Sequence, residues 1–520
     1  MPRIEDGVRV LLAVMVAAVL ICPAMAAQEA TCQKASLPAL ERGYALLHSF
    51  EYEWARLKFQ VATMADPECA LAHVGEALTY NRTLRQAPTE QETTLARASL
   101  LRARAASTGR SRDREFVQAV MLLFQDGRST SRATRNRQYH EALAALHAAR
   151  PEDTEIAAFY GLSFLGLSAG RVTPDLKHKE AAARFLWPVF QAGPDHPGVM
   201  HYLVHALDST PETAQRGLPV ARRYASMQPD VPQAQHMPAH LYFRLGMWKE
   251  AMEATEVADR ASLALLQRLG WPPQKRHLEN ARWKMYAYLQ RGRREEARKF
   301  LLEIKELAEA TKSTDAIGAY VSMHTRYLLD GHRWREAAAS RPQFFWYQEV
   351  GDLAHAKVIG AAFLGDRGRA RQGLALLQRS ARPTVPRLQA EAALAMVDGD
   401  LESVRGFMEQ ALRMEDAQLA RSPMPLPALP GHELFGEMLL YLGKPQQAQD
   451  EFTISRRYRL HRPASLLGLA RSAALLGDRA KARVLAAEFL QWWSDADTDL
   501  PELVDARSLV DPEERRSTQE

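Results

Sequence analysis

Histidine is the residue whose type and spacing first suggest chemistry. His201 and His205 stand four residues apart, as do His236 and His240, and each member of the second pair follows its counterpart by 35 residues. Side chains at i and i+4 share a helix face, so each pair can aim two imidazoles in one direction. Neutral imidazole is a ligand for zinc and similar divalent ions, and its charge switches near neutral pH. Packed helices lie about 8–10 Å apart, close enough for two such pairs to converge. The pattern marks His201, His205 and His240 as candidate ligands of a divalent transition metal such as zinc. A wider ligand or groove set adds His236, His277, Tyr202 and Tyr242, with Asp195 and His196 placed to supply a further ligand or an outer acceptor. Pro238 favours a first helical turn, which would set His236 ahead of its helix. The competing reading is packing, with hydrogen-bonded imidazoles holding close helix contacts and no fourth ligand specified.

Other signatures of chemistry are missing from the sequence. His140-Glu141 and His432-Glu433 each lack the second histidine of HExxH, and no GxSxG elbow, Walker A loop or GxGxxG fingerprint occurs. The expectation is a scaffold, not an enzyme of a familiar class, that binds a protein segment or small ligand. The alternative is a metal-binding or metal-dependent protein built on the histidines. A histidine-lined cleft performing acid–base chemistry is a third. No cofactor is established by the sequence.

The elements that must position these residues come from a repeat. A glycine followed five residues later by a small residue recurs as Gly246/Ala251, Gly292/Ala297, Gly365/Ala370, Gly399/Val404, Gly443/Ala448 and Gly477/Ala482. Glycine ends a helix in the left-handed conformation at least cost, and the small residue lets the next helix cross closely. Gly331 to Gly365, Gly365 to Gly399 and Gly443 to Gly477 are each 34 residues, the length of a tetratricopeptide unit. Ala55, Phe59, Ala62 and Pro67 have the spacing of such a unit's second helix, and Ala182, Leu186, Val189 and Pro194 repeat it.

The fold expected is an all-α solenoid, a right-handed superhelix of antiparallel helix pairs in which each repeat touches only its neighbours. Its first helices would line a long concave groove suited to a peptide or partner helix. The organisation reads as a signal peptide at 1–26, repeats at 27–240 and 241–420, a proline-rich loop at 421–431, C-terminal repeats with a cap at 432–510, and a tail at 511–520. Residues 128–137, rich in Ser, Thr, Arg and Asn, read as a loop within an early repeat.

Several segments occur together and in order: Leu46 to Phe50 (LLHSF), Asp66 to Ala70 (DPECA), His196-Pro197-Gly198, His201 to Ala206 (HYLVHA) and His236 to His240 (HMPAH). With these the chain resembles a family of large secreted bacterial tetratricopeptide proteins of uncharacterised function. The resemblance covers most of the chain after the leader, with Ala239 where relatives often have Ser and His73 where an aromatic is common. It implies the repeat fold and export, and it implies no catalytic mechanism.

Composition agrees with a folded body: 47% hydrophobic and 25% charged residues. The net charge of +5 is spread thinly, as in Arg291 to Arg298 (RGRREEAR), which reads as a solvated helix face and excludes a nucleic-acid patch. Arg3 and Arg9 precede an apolar run from Val10 to Ile21, and Ala24 and Ala26 supply a cleavage signal. The run is shorter than the ~20 residues of a spanning helix. The expected product is therefore exported to the periplasm or beyond, with no membrane span after cleavage; the alternative is a leader kept as an anchor, since Glu5 and Asp6 weaken its positive end. Cleavage would leave Cys32 and Cys69, which in an oxidising compartment either pair as a disulfide or leave Cys69 as a packing residue. Of the aromatic clusters, Phe344 to Tyr347 and Trp492-Trp493 read mainly as core and cap.

Overall fold

The computed structural model describes residues 32–107, 111–125, 130–168, 176–193, 195–344, 347–378, 383–416 and 428–511. The expected leader and most of the proline-rich stretch and tail lie outside these residues. Among the described residues the chain forms 25 α-helices and one 3-10 turn, with no strand. Successive helices pair antiparallel through short turns, and the glycine signature makes those turns. Gly246, Gly292, Gly365, Gly399, Gly443 and Gly477 all have φ between 65° and 86°, where a side chain would be strained. The small residue five positions on is buried each time.

The unit at Gly331 departs by one residue. Its left-handed position is His332 (φ 51°), and the small residue five further on is the buried Ala337. Phe50 (φ 58°) and Ala55 repeat the arrangement near the N-terminus. The second helix of a pair locks between two first helices through one aromatic ring. A methyl group on Gly43 or Gly75 would meet the Phe59 ring at 2.7 and 2.2 Å. The same holds for Gly436 and Gly468 against Phe452, at 2.7 and 2.4 Å. Both ends of the array therefore use one packing device, and it needs the bare glycine surface.

Three expectations are corrected. The repeats do not touch only their neighbours. The first pair, Leu37–His48 and Tyr52–Ala65, packs on the middle of the chain: Arg42 pairs with Asp230 at 2.8 Å, and the Gln233 N–H donates to Glu51 at 3.1 Å. The C-terminal repeats also return. Trp248 Nε1 donates to the His461 carbonyl (2.6 Å) and Trp493 Nε1 to the Gln290 carbonyl (2.9 Å). Arg462, fully buried, binds Glu433 (2.6 Å), Asp330 (2.7 Å) and the Tyr286 hydroxyl (2.8 Å). Successive turns of the superhelix thus pack on one another, and a half-open cavity lies on the inner face.

The expected loop at 128–137 is helical from Arg132, because Ser131 caps the helix Arg132–Ala149 by accepting from the Thr134 N–H (3.1 Å). Pro238 lies inside the helix Pro232–Leu245, so His236 is within the helix and not ahead of it. Pro232 occupies the first turn instead, where its missing N–H costs nothing.

Cys32 and Cys69 are joined by a disulfide, which ties the described N-terminus to the start of the helix Ala70–Leu78.

Candidate functional site

Two consecutive first helices, Pro197–Leu207 and Pro232–Leu245, carry the histidine pairs, and the start of the next first helix, Leu278–Gln290, brings His277. The rings form a continuous chain. Centroids are 4.8 Å apart for His201–His205, 5.4 Å for His205–His240, 4.9 Å for His236–His240 and 5.6 Å for His236–His277. Phe50 closes one end, 4.5 Å from His201. Trp283 covers the middle, 4.8 Å from His236 and 4.4 Å from His240. A phenylalanine held at positive φ is costly, and such strain persists where surroundings over-determine it.

The partners of these rings set their tautomers. His201 Nδ1 lies 2.5 Å from the His48 carbonyl oxygen, which can only accept. His240 Nδ1 lies 2.9 Å from an Asp208 carboxylate oxygen, also an acceptor. His236 Nδ1 lies 2.9 Å from Asn280 Oδ1, and Asn280 turns its amide NH2 to the Thr255 carbonyl (2.8 Å). All three therefore carry their proton on Nδ1, and in the neutral ring Nε2 is left as a lone pair. Each of those Nε2 atoms is buried without a protein partner, as are His205 Nε2 and His277 Nδ1.

Burial opposes charging. It lowers His201 to about 3 and His277 to about 4, and pushes His205 and His236 well below the ordinary imidazole value. These rings are neutral acceptors at neutral pH. Leaving such a group buried and unbonded costs about 1–3 kcal/mol, so an array of them asks for a function.

The array borders the central cavity, about 1030 Å³, whose walls include His240, His277, Trp283, Phe50, Glu279 and Arg282. Burial would raise Glu279, but Arg85 and the nearby imidazoles bring it down to about 2. Arg282 donates to Ser322 Oγ at 2.9 Å from the same wall.

A second histidine group stands beside the first and differs from it. His48 Nε2 and His196 Nε2 bind the two oxygens of Glu155, at 2.8 and 3.1 Å. His48 Nδ1 meets the Tyr202 hydroxyl at 2.8 Å, and His196 Nδ1 caps its helix by accepting from the Gly198 N–H at 3.2 Å. Every ring nitrogen here is engaged. Burial would raise Glu155, but the two imidazoles hold it well below the usual carboxylate range. Gly198 admits His48, since a Cβ there would meet His48 Nδ1 at 2.5 Å.

The structure thus brings His201, His205, His236, His240 and His277 together and places Tyr202 at their edge. Tyr242 faces away, its hydroxyl accepting from Arg222 (3.1 Å). Asp195 pairs with Arg223 at 2.5 Å and does not join the array, while His196 belongs to the Glu155 group. Among the described residues, the sets of three ligand atoms within 4.8 Å of one another are Cys32–Asp66–Cys69, whose cysteines are bonded together, and His48–Glu155–His196. The trio His201, His205 and His240 is not such a set. Sequence reasoning missed Asp208, Asn280, Glu155 and Phe50. Asp208, three residues after His205, carried the only local signal, an acidic residue directly ending a histidine helix.

No protein-family model matches the chain, and no curated protein does. Solved structures resembling it include a chain of the APC/C hetero-tetramer Cut9-Hcn1, with TM-score 0.41, 10% identity, and coverage of 93% of this chain and 83% of that one. A monomeric IFIT1 mutant with Gppp-AAAA gives a TM-score of 0.37 at 12% identity, covering 88% of this chain and 99% of that one. The functional reading therefore comes from the site's own geometry.

Proposed function

We propose that this protein is an exported helical-repeat scaffold that binds a low-mass ligand in its central cavity through the imidazole array. The observation that carries the reading is the run of buried ring nitrogens whose proton is fixed on the far side, leaving lone pairs turned to no protein donor. The rings around Glu155, by contrast, are satisfied. The cavity's size, about 1030 Å³, is that of a small-ligand pocket. Arg282 and Arg85 on its wall suit a ligand with an anionic group.

Export is supported by the leader pattern ending in Ala24 and Ala26 and by the Cys32–Cys69 disulfide, which suits an oxidising compartment. Among the described residues no helix is long and apolar enough to cross a membrane. The interleaved surface charge suits neither nucleic acid nor an anionic membrane face.

The test is native mass spectrometry of tag-free protein incubated with small-molecule fractions of a bacterial envelope extract. The wild type should retain a one-to-one low-mass adduct. A His205→Gln/His240→Gln variant with unchanged helical circular dichroism should not. No adduct on the wild type, or equal retention by both proteins, would contradict the proposal.

A further inference from the structure

Most charges on the cavity wall are balanced by the protein, and two are not. Arg82, Arg85, Lys275, Arg276 and Arg326 pair respectively with Glu92, Glu279, Glu53, Asp259 and Asp330. Arg282, half-buried on the same wall, donates to the Ser322 hydroxyl at 2.9 Å and to the Leu278 carbonyl at 3.5 Å. Neither acceptor is a carboxylate, and most of the five guanidinium donors are left for an anion. Asp352 is the opposite case. It lines the cavity from the helix Tyr347–Phe363, and among the described residues it makes no ion pair. Burial raises its carboxyl to about 6, opposed only by the amide of Gln348 one turn earlier. An ammonium beside it would bring it back to the ordinary carboxylate range. Glu51, the other wall carboxyl raised by burial, accepts from the Gln233 N–H at the start of a helix, and Asp315 is exposed.

Between the two poles lies the first helix Thr314–Leu329, which Arg282 reaches through Ser322 and against which Tyr347–Phe363 packs. Neighbouring helices lie about 8–10 Å apart, which sets the distance between the poles. An extended chain advances about 3.3–3.6 Å per residue, so the terminal charges of a tripeptide match that span and those of a single amino acid do not. Thr325, one turn after Ser322, lines the cavity and is buried with its hydroxyl unpartnered. A hydroxyl both donates and accepts, as a peptide group lying between the poles requires.

We propose that the cavity holds a short zwitterion of about tripeptide span, with its carboxylate on Arg282 and its ammonium on Asp352. This rests on reading the cavity as a ligand site and gives that ligand its chemical class. A short peptide with free ends and a linear ω-amino acid both present the two charges, and the Thr325 hydroxyl favours the peptide. Trp271 and Trp283 on the wall offer its side chains apolar surface.

The experiment titrates the full-length protein, purified without a tag, by calorimetry with tri-alanine, its N-acetyl and C-amide derivatives, free alanine and ω-aminooctanoate. Tri-alanine should bind one-to-one, and removing either terminal charge should weaken it by about 10–100-fold, the range for a hydrogen-bonded charge. Free alanine should bind more weakly than tri-alanine by at least as much. Asp352→Asn should accept the acetylated peptide as readily as the free one while still rejecting the amide, and Arg282→Gln should do the reverse. Loss of folding does not produce that crossed pattern. The exposed Arg298→Gln should bind as the wild type does. Binding of ω-aminooctanoate without tri-alanine keeps the two poles and overturns the peptide. A wild type that binds neither, or binds the capped peptides as tightly as the free one, overturns the proposal. If neither probe binds while the low-mass adduct still depends on His205 and His240, the zwitterion falls and the cavity reading stands. If the crossed pattern appears and ignores His205→Gln/His240→Gln, the two poles stand and the part given to the array falls.

Discussion

Two groups of histidines lie side by side in this molecule and are built on opposite plans. Around Glu155, the rings of His48 and His196 use all four nitrogens on a carboxylate, a tyrosine hydroxyl and a helix N-terminus. In the neighbouring array the rings of His201, His236 and His240 use one nitrogen each and leave the other bare. Burial and residue type are alike in the two groups, so neither distinguishes structure from function here. The count of engaged nitrogens does. A satisfied polar network stabilises and specifies a fold, whereas a half-satisfied one is tolerated where something else completes it.

The largest way to break this comparison is at Glu155. Replacing it with Leu strands two imidazole N–H groups in the interior and should cost about 3–5 kcal/mol, the range for removing one partner of a buried ionic set. His277→Gln, in the array, should cost about 1 kcal/mol or less. Urea melts of the two variants check the contrast, and equal losses would erase the distinction.

The disulfide sharpens it next. Cys32–Cys69 braces the helices that carry His48, so Cys69→Ser should lower stability by about 2–4 kcal/mol while leaving binding at the array unchanged. Thermal melts with and without reductant, read beside the binding assay, check both halves.

The array's rings and the Glu155 carboxylate should also separate by pH. His201 at about 3 and His277 at about 4 lie below the unfolded imidazole value near 6.5. The unfolded chain then binds more protons as pH falls, so their contribution is full above about 6.5 and declines as pH drops toward those folded values. The slope is about 1.4 kcal/mol per pH unit for each such ring. Glu155 is depressed, so its contribution is full above the unfolded carboxylate value near 4.3 and is lost only below it. Stability measured from pH 7 to 5 should therefore fall through buried imidazoles, His201 and His277 together with His48 and His355, which burial also lowers, and not through Glu155 itself. His277→Gln should make that slope shallower.

Much of the fold was legible in the sequence because its signals are local. The glycine and the small residue five positions later mark a turn that a single helix pair dictates, and six of those glycines are left-handed as that chemistry requires. Gly331 misleads by one residue, since His332 takes the strained position in its place. The packing of one superhelical turn on the next left no such trace. The contacts that make it, Arg42–Asp230, Trp248–His461 and Trp493–Gln290, join residues about two hundred positions apart with no shared periodicity. The histidine pairs were legible from their i,i+4 spacing. The acceptors that give them meaning were not, because Asn280 and the His48 carbonyl reach their rings only through tertiary packing. Tyr242 shows the limit of proximity in sequence: two residues from His240, it faces the other side of the helix.

The central claim is that the array's bare nitrogens are neutral acceptors, and nitrogen NMR reads this directly. In protein labelled with 15N-histidine and examined at pH 7 without added ligand or metal, His201 and His236 should give the signature of the neutral Nδ1–H tautomer. His196 should give that of a ring protonated on Nε2, and the His201 signal should hold unchanged on acidification to pH 5. Doubly protonated rings at His201 and His236 at pH 7, or a proton found on Nε2 in either, would contradict the account.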